Sequence, residues 1–285
     1  MTRIRRLRTA RLATLPIILV GVAACGGSAT TSSSTVASSS AAAPAAVVAD
    51  LAPSGRLRVG IPANPPILGV KDPASGNLRG IGVDLSNALA QQLGVPVDFV
   101  SYPDPGAAVA SAAAGLWDVG ILPVNDLATA AADLTAPFLL VPHTYLVRAD
   151  SAIHSVADAD QPGVRIASVA SSGHTPVLAG KLKHAQLVRV DTEAAGVQML
   201  AAGQVDAYAD GRPALRGLAA QVPGSRLVSD DFFVANFALA VPKGHATGQA
   251  FLAHFIESQK ASGAVQQAID RLGKPDLHVA PAASA

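Results

Sequence analysis

Few side chains in this sequence are placed to make or break a bond. Ser171 and Ser172 lack the G-x-S-x-G surroundings of a nucleophile elbow, so a hydrolase serine is unsupported. The seven histidines, at 143, 154, 174, 184, 245, 254 and 278, show no His-x-x-x-His pair and no acid at metal-ligand spacing. His174 and Asp210 are the one combination that could serve as acid and base. His174 reads either as a ligand contact or as a surface histidine. What remains is binding chemistry. Ser171-Ser172-Gly173 stands between a strand-like run and a helix-like run, where hydroxyls and backbone N–H groups suit a polar or anionic group. Asp210 offers a carboxylate, and Arg212 is either a cation beside it or a solvated side chain. Asn64 and Asn125 carry amides that either reach a ligand or close turns.

Cys25 is the only cysteine, so no disulfide framework and no thiolate metal site exist. Five arginines and no acid lie in residues 1–24, followed by an apolar run over 15–24 that is too short for a membrane span. With Val22-Ala23-Ala24 before Cys25, the segment resembles a bacterial lipobox: residues 1–24 read as a signal peptide, and Cys25 as the lipid-modified first residue of an exported protein. Removing those arginines leaves 16 basic against 20 acidic residues, a net charge of −4. Nucleic acid is then a poor partner. Residues 26–50 are dominated by Ser, Thr and Ala. Such a stretch buries too little to order itself and reads as part of a flexible linker over 25–53.

From Arg56 to about Leu272 the pattern alternates. Strands are expected over 57–61, 97–100, 119–122, 143–147, 164–169, 187–190, 207–209 and 237–241. Helices are expected over 84–93, 107–114, 177–182, 193–202, 249–262 and 264–272, several of them stopped by glycine. Asp84, Asp118 and Asp133 read as cap or turn residues, and Trp117 as packing. The alternation implies βαβ units, an α/β class and largely parallel sheets. Ala113-Ala114-Gly115-Leu116-Trp117-Asp118 and Ala201-Ala202-Gly203-Gln204-Val205-Asp206 share the pattern A-A-G-x-x-D in matched contexts. Two similar lobes with a cleft between them follow.

Gly55-Arg56-Leu57-Arg58-Val59-Gly60, Asn64-Pro65-Pro66, Leu78-Arg79-Gly80-Ile81-Gly82-Val83-Asp84-Leu85, Asp133-Leu134-Thr135-Ala136-Pro137-Phe138 and Gln204-Val205-Asp206-Ala207-Tyr208-Ala209-Asp210 occur in order with the two A-A-G-x-x-D runs. Over residues 54–272 the chain resembles the family 3 extracellular solute-binding proteins, the polar-amino-acid receptors of ABC importers. The resemblance implies a type II periplasmic-binding-protein fold. Lobe 1 would comprise 54–147 plus 242–285 and lobe 2 would comprise 148–241, with crossings near 147–150 and 238–243. It also implies a small polar solute as ligand, permease subunits as partners, no cofactor, and a monomer outside the cytoplasm. Asp210 stands where the family's ammonium-binding aspartate stands, and Ser171-Ser172-Gly173 stands at its Gly-Thr-type loop.

One departure bears on the ligand. The family's carboxylate-clamping arginine falls at Ala128 counting back from Asp133, or at Ala130 counting on from Asp118. Between Gly80 and Val147 there is no Lys or Arg, but there are six aspartates: Asp84, Asp98, Asp104, Asp118, Asp126 and Asp133. Asn64, Ile67 and Pro105 stand where the family carries aromatics. The expectation is a membrane-anchored receptor for a neutral or cationic solute rather than a conventional α-amino acid. The alternatives are a dehydratase-like enzyme on the same fold and a ligand-sensing accessory lipoprotein.

Overall fold

The computed structural model describes residues 43–72 and 75–284. The leader, Cys25 and most of the linker lie outside the described residues. In chain order the elements are α1 (Ala45–Leu51), β1 (Leu57–Pro62), β2 (Val70–Lys71), β3 (Leu78–Arg79), α2 (Ile81–Leu93), β4 (Val97–Tyr102), α3 (Pro105–Ala110), β5 (Val119–Pro123), α4 (Asp126–Ala131), β6 (Ala132–Leu134) and β7 (Leu139–Val147). They continue as α5 (Val156–Ala159), β8 (Arg165–Val169), α6 (His174–Lys181), β9 (Gln186–Val190), α7 (Glu193–Ala201), β10 (Ala207–Gly211), α8 (Arg212–Leu218), β11 (Arg226–Leu227), β12 (Phe233–Pro242), α9 (Ala246–Ala261), α10 (Ala264–Leu272) and β13 (His278–Val279).

The main sheet runs β4-β1-β5-β12-β7-β10-β8-β9. β1 pairs in parallel with β4 and β5, and β8 pairs in parallel with β9 and β10, as the alternating pattern requires. β12 and β7 join the two parallel halves through antiparallel ladders. Both strands run longer than their apolar cores suggest, because each changes partner part-way. β7 pairs with β12 as far as His143 and with β10 from His143 onward. β12 leaves β7 for β5 at Phe237. These changeovers lie upstream of the 147–150 and 238–243 segments where crossings are expected.

Side chains alternate across the sheet into separate cores. Tyr145, Ile166 and Ala209 face one cluster, and Leu146, Ala167 and Tyr208 face another. Around β1 a larger cluster joins α2, α9 and α10. A smaller one surrounds Trp117, whose Nε1–H donates to Ser111 Oγ at 2.9 Å and to Ala108 O at 3.2 Å. Its indole fills the space beside two glycines: a Cβ at Gly60 or Gly120 would come within 2.8 or 3.0 Å of the ring. The expected 107–114 helix divides here. Ala108 O accepts from Ser111 Oγ and the indole, and only a 3₁₀ turn at Ala112–Ala114 follows α3.

The A-A-G-x-x-D echo is structural. Gly115 and Gly203 take left-handed φ of 62° and 69°. Asp118 accepts the Arg58 N–H at 2.9 Å, and Asp206 accepts the Arg165 N–H at 2.8 Å. Arg58 also donates to Gly115 O, and Arg165 to Gly203 O. Asp118, read as a cap or turn residue, is an arginine's partner, and Asp206 is its counterpart in the other half; each binds the end of a helix–strand turn to the neighbouring strand. Asp84 and Asp133 are ion-paired as well, to Arg271 and Lys243. Asp84 lies inside α2, which begins three residues earlier than expected.

The linker reading fails at its C-terminal end. Residues 45–51 form α1, with Val47 and Leu51 buried. Asp50 holds α1 to α9 by accepting from Gly248 N–H and pairing with His245, each at 2.7 Å. Tertiary contact with a distant helix supplies what the local composition lacks.

Candidate functional site

In sheets of this kind ligands gather beyond the carboxyl ends of parallel strands, where loops and helix N-termini converge. The carboxyl ends of β8, β9 and β10 lead into Ser171-Ser172-Gly173, Glu193 and Asp210 respectively. Ser171 and Gly173 are exposed, and Ser172 is half-buried. Asp210 accepts from Tyr208 Oη at 3.0 Å and from the Gly211 N–H at 2.6 Å. Both bonds favour the charged carboxylate, but the protein packed around the side chain outweighs them, and its pKa is pushed up to about 6. Glu193, exposed at the start of α7, is raised in the same direction, first by partial desolvation and then by the negative charge of Asp210. The two acids therefore share one field. α7 lies close on this edge, since a Cβ at Gly196 would meet the Tyr208 ring at 2.4 Å.

His174 is not a surface residue: it is 7% exposed. Its Nε2 lies 3.1 Å from Ser168 Oγ and 3.3 Å from Ala209 O. Its ring centroid is 4.8 Å from that of His143. Burial holds both imidazoles neutral, lowering His174 to about 4 and His143 to about 3, the latter with help from its neighbour. Among the described residues no hydrogen bond joins His174 to Asp210.

The other predicted site residues are dispersed. Asn64 is exposed just beyond β1. Asn125 follows β5, but its Oδ1 accepts the Ala128 N–H at 2.9 Å, so it serves as the N-cap of α4. Ala128 is fully buried and Ala130 is exposed. Arg212 is not a free cation: it pairs with Asp231 and donates to Ser229 O at 2.6 Å and Asp230 O at 3.1 Å. It lines a cavity of about 560 Å³ with Arg216 and Arg226. A second cavity of about 430 Å³ lies between Asp133, Lys243 and Gln249. Neither is lined by the serine loop, Glu193 or Asp210.

The acid-rich 80–147 segment is largely neutralised from outside itself. Asp84 meets Arg271, Asp98 meets Arg56, Asp118 meets Arg58 and Asp133 meets Lys243. Asp104 caps α3. Of the six, Asp126 stands exposed in the first turn of α4 with no cation paired to it among the described residues. Sequence reasoning missed Glu193, Tyr208 and His143. The first two sit at the helix start after β9 and two residues before Asp210, positions that the strand–helix alternation marks.

The chain belongs to the bacterial extracellular solute-binding proteins, family 3, whose family model matches residues 57–274. It has the fold of type II periplasmic binding proteins, and its family is one of extracellular solute-binding proteins. Among solved structures it is similar to the substrate-binding protein AbpA from Streptococcus pneumoniae bound to L-arginine, at 20% identity and TM-score 0.65 over 79% of this chain and 98% of that one. An ancestral arginine-binding protein bound to glutamine matches at 25% identity and TM-score 0.59, over 76% of this chain and 97% of that one. The ancestral amino-acid-binding protein AncCDT-1, a precursor of cyclohexadienyl dehydratase, matches at 23% and 0.63, over 77% and 95%. A search of curated proteins returned no match. Among the described residues no helix is long and apolar enough to cross a membrane, and no group of three or more His, Cys, Asp or Glu could hold a metal ion.

Proposed function

We propose that this protein is a two-lobed receptor, tethered through a lipid-modified Cys25, that captures a neutral or cationic solute bearing an amine and delivers it to an ABC permease without turning it over. The lobes are the β1 half and the β8 half of the sheet, joined by β7 and β12. The observation that carries the ligand reading is Asp210 at the carboxyl edge of β10, held by Tyr208 and facing the charge of Glu193. An ammonium group there would neutralise two acids that repel each other. Ser171 and Ser172 would meet the ligand's polar end through hydroxyls and backbone N–H groups. The absence of any Lys or Arg over residues 80–147 argues against a carboxylate clamped from the first lobe. His174 is bonded to Ser168 and Ala209 rather than to Asp210, which supports binding over acid–base turnover.

A thermal-shift screen over amino acids, amines, sugars and short acids tests this reading. A hit present at a hundred times its Kd adds about 2.7 kcal/mol of stability. Amines are expected among the hits, with the shift abolished in Asp210→Ala. A screen in which only carboxylates without an amine raise the melting temperature would sink the proposal.

A further inference from the structure

A histidine nine-tenths buried among strands has given up hydration and needs a structural return. His174 makes its return to three strands at once. It heads α6 immediately behind Ser171-Ser172-Gly173. Its Nε2 meets Ser168 Oγ in β8 and the Ala209 carbonyl in β10, and Ala209 is the residue before Asp210. Across its ring lies His143 of β7, whose own Nδ1 is 2.8 Å from Val141 O. His143 is the residue at which β7 changes partner, lying opposite Gly211 on one side and Phe233 on the other. Phe232 and Phe233 close the apolar side of the pair.

One arrangement of protons satisfies the network. Thr175 Oγ1 donates to Val169 O at 2.6 Å and accepts from Ser168 Oγ at 2.8 Å. Ser168 Oγ is then free to accept, and the His174 Nε2–H is shared between it and Ala209 O. The arrangement needs a proton on Nε2, and burial keeps the ring otherwise neutral. The titratable groups facing it are His143 from β7 and Glu193 from α7, with Asp210 one residue beyond Ala209 on β10.

We propose that His174 is a positioning residue: through Nε2 it fixes the Asp210 end of β10 to the serine loop, and through His143 it ties both to the strand that joins the two halves of the sheet. The inference rests on the reading that Asp210 and the loop contact ligand, and its test separates the two. In the full chain, His174→Leu keeps an apolar side chain without the donor, and His174→Gln restores an N–H at the end of a flexible stem. The readouts are the Asp210 carboxyl titration by ¹³C NMR, and calorimetric binding of L-arginine, putrescine and L-glutamine. His174→Leu is expected to lower the Asp210 midpoint by about one pH unit toward the ordinary carboxylate range as water reaches the side chain. It is also expected to weaken whichever probe binds by about tenfold, the worth of one hydrogen bond, with Gln recovering both effects. If His174→Leu does not fold, His174→Asn, whose shorter stem withdraws the donor, replaces it in the same comparison with Gln and with the same outcomes. A folded Leu variant with an unchanged Asp210 titration overturns the proposal. A shifted titration in a protein that binds none of the probes leaves positioning standing and refutes the ligand reading.

Discussion

Replacing Asp210 by Asn should stabilise the ligand-free protein while destroying its binding site, and the gain should depend on pH. The Asp210 pKa rises from the ordinary 3.8 to about 6 on folding. The folded state therefore holds a proton that the unfolded state has released, between about pH 4 and 6. Stability falls as pH rises through that window and stays reduced above it. At 1.36 kcal/mol per pKa unit, the penalty in the charged state reaches at most about 3 kcal/mol. Asparagine removes the charge. Its Oδ1 can still accept the Gly211 N–H, but its amide nitrogen cannot accept from Tyr208 Oη, which costs about 1 kcal/mol. The net expectation is a gain of about 1–2 kcal/mol at pH 8, shrinking to zero or slightly below by pH 4, where wild-type Asp210 is itself neutral. Urea unfolding of wild type and Asp210→Asn at a series of pH values from 4 to 8 measures the difference directly. A difference that is flat across this range, or a variant that is less stable at pH 8 than at pH 4 relative to wild type, would show that Asp210 is not a desolvated acid.

Two further outcomes follow from the same structure. The buried histidines work in the opposite direction: their folded pKa values lie below 6.5, so the stability they hold is complete above that pH and is lost as pH falls toward about 4 for His174 and about 3 for His143. His143→Leu should flatten the acid limb of a stability–pH curve, and an unaltered limb would count against its burial as a neutral ring. Arg216 of α8 pairs with Asp276, the near-buried residue ahead of β13, and is the one ion pair among the described residues that joins the β8 half to the segment packed on β1's core. Because the guanidinium is about half exposed, a double-mutant cycle with Arg216→Gln and Asp276→Asn should give a coupling of about 1 kcal/mol that weakens with added salt. A coupling of zero at low salt would remove the tie.

Most of the fold is legible in the sequence because its signals are local. Apolar runs bounded by glycine place β1, β4, β5, β8, β9 and β10, and the left-handed Gly115 and Gly203 mark the same turn twice. The Arg58 and Arg165 partners of that turn are not read from the sequence, because each stands on a strand that meets the A-A-G-x-x-D aspartate only through sheet pairing. What was not legible is non-local. α1 is an alanine-rich segment made stable by Asp50 reaching α9 across nearly 200 positions. β7 and β12 contain Pro142, His143 and Asn236, which break an apolar pattern but suit strands that exchange partners there. Of the candidate site residues, Asp210 and the serine loop are named by the resemblance, at the ends of β10 and β8. The burial of His174 is not legible, because nothing next to it in sequence tells that β7 and β10 close over its ring. Arg212 and Asn125 each have a protein partner, Asp231 or the α4 amide, that a linear reading does not rank against a ligand.

The indole beneath Gly60 and Gly120 also decides what light can report. Trp117 is the only tryptophan, 1% exposed and hydrogen-bonded at Nε1. In the sheet it belongs beside β1 and β5, with β12 and β7 standing between that place and the Asp210 edge of β10. Emission excited at the red edge of the protein's absorption therefore comes from one sealed spot, shielded from quenchers in solvent and out of reach of a solute at Asp210. It is a gauge of whether the first half of the molecule is folded. A solute at the proposed Asp210 site would have to be read by a probe placed there.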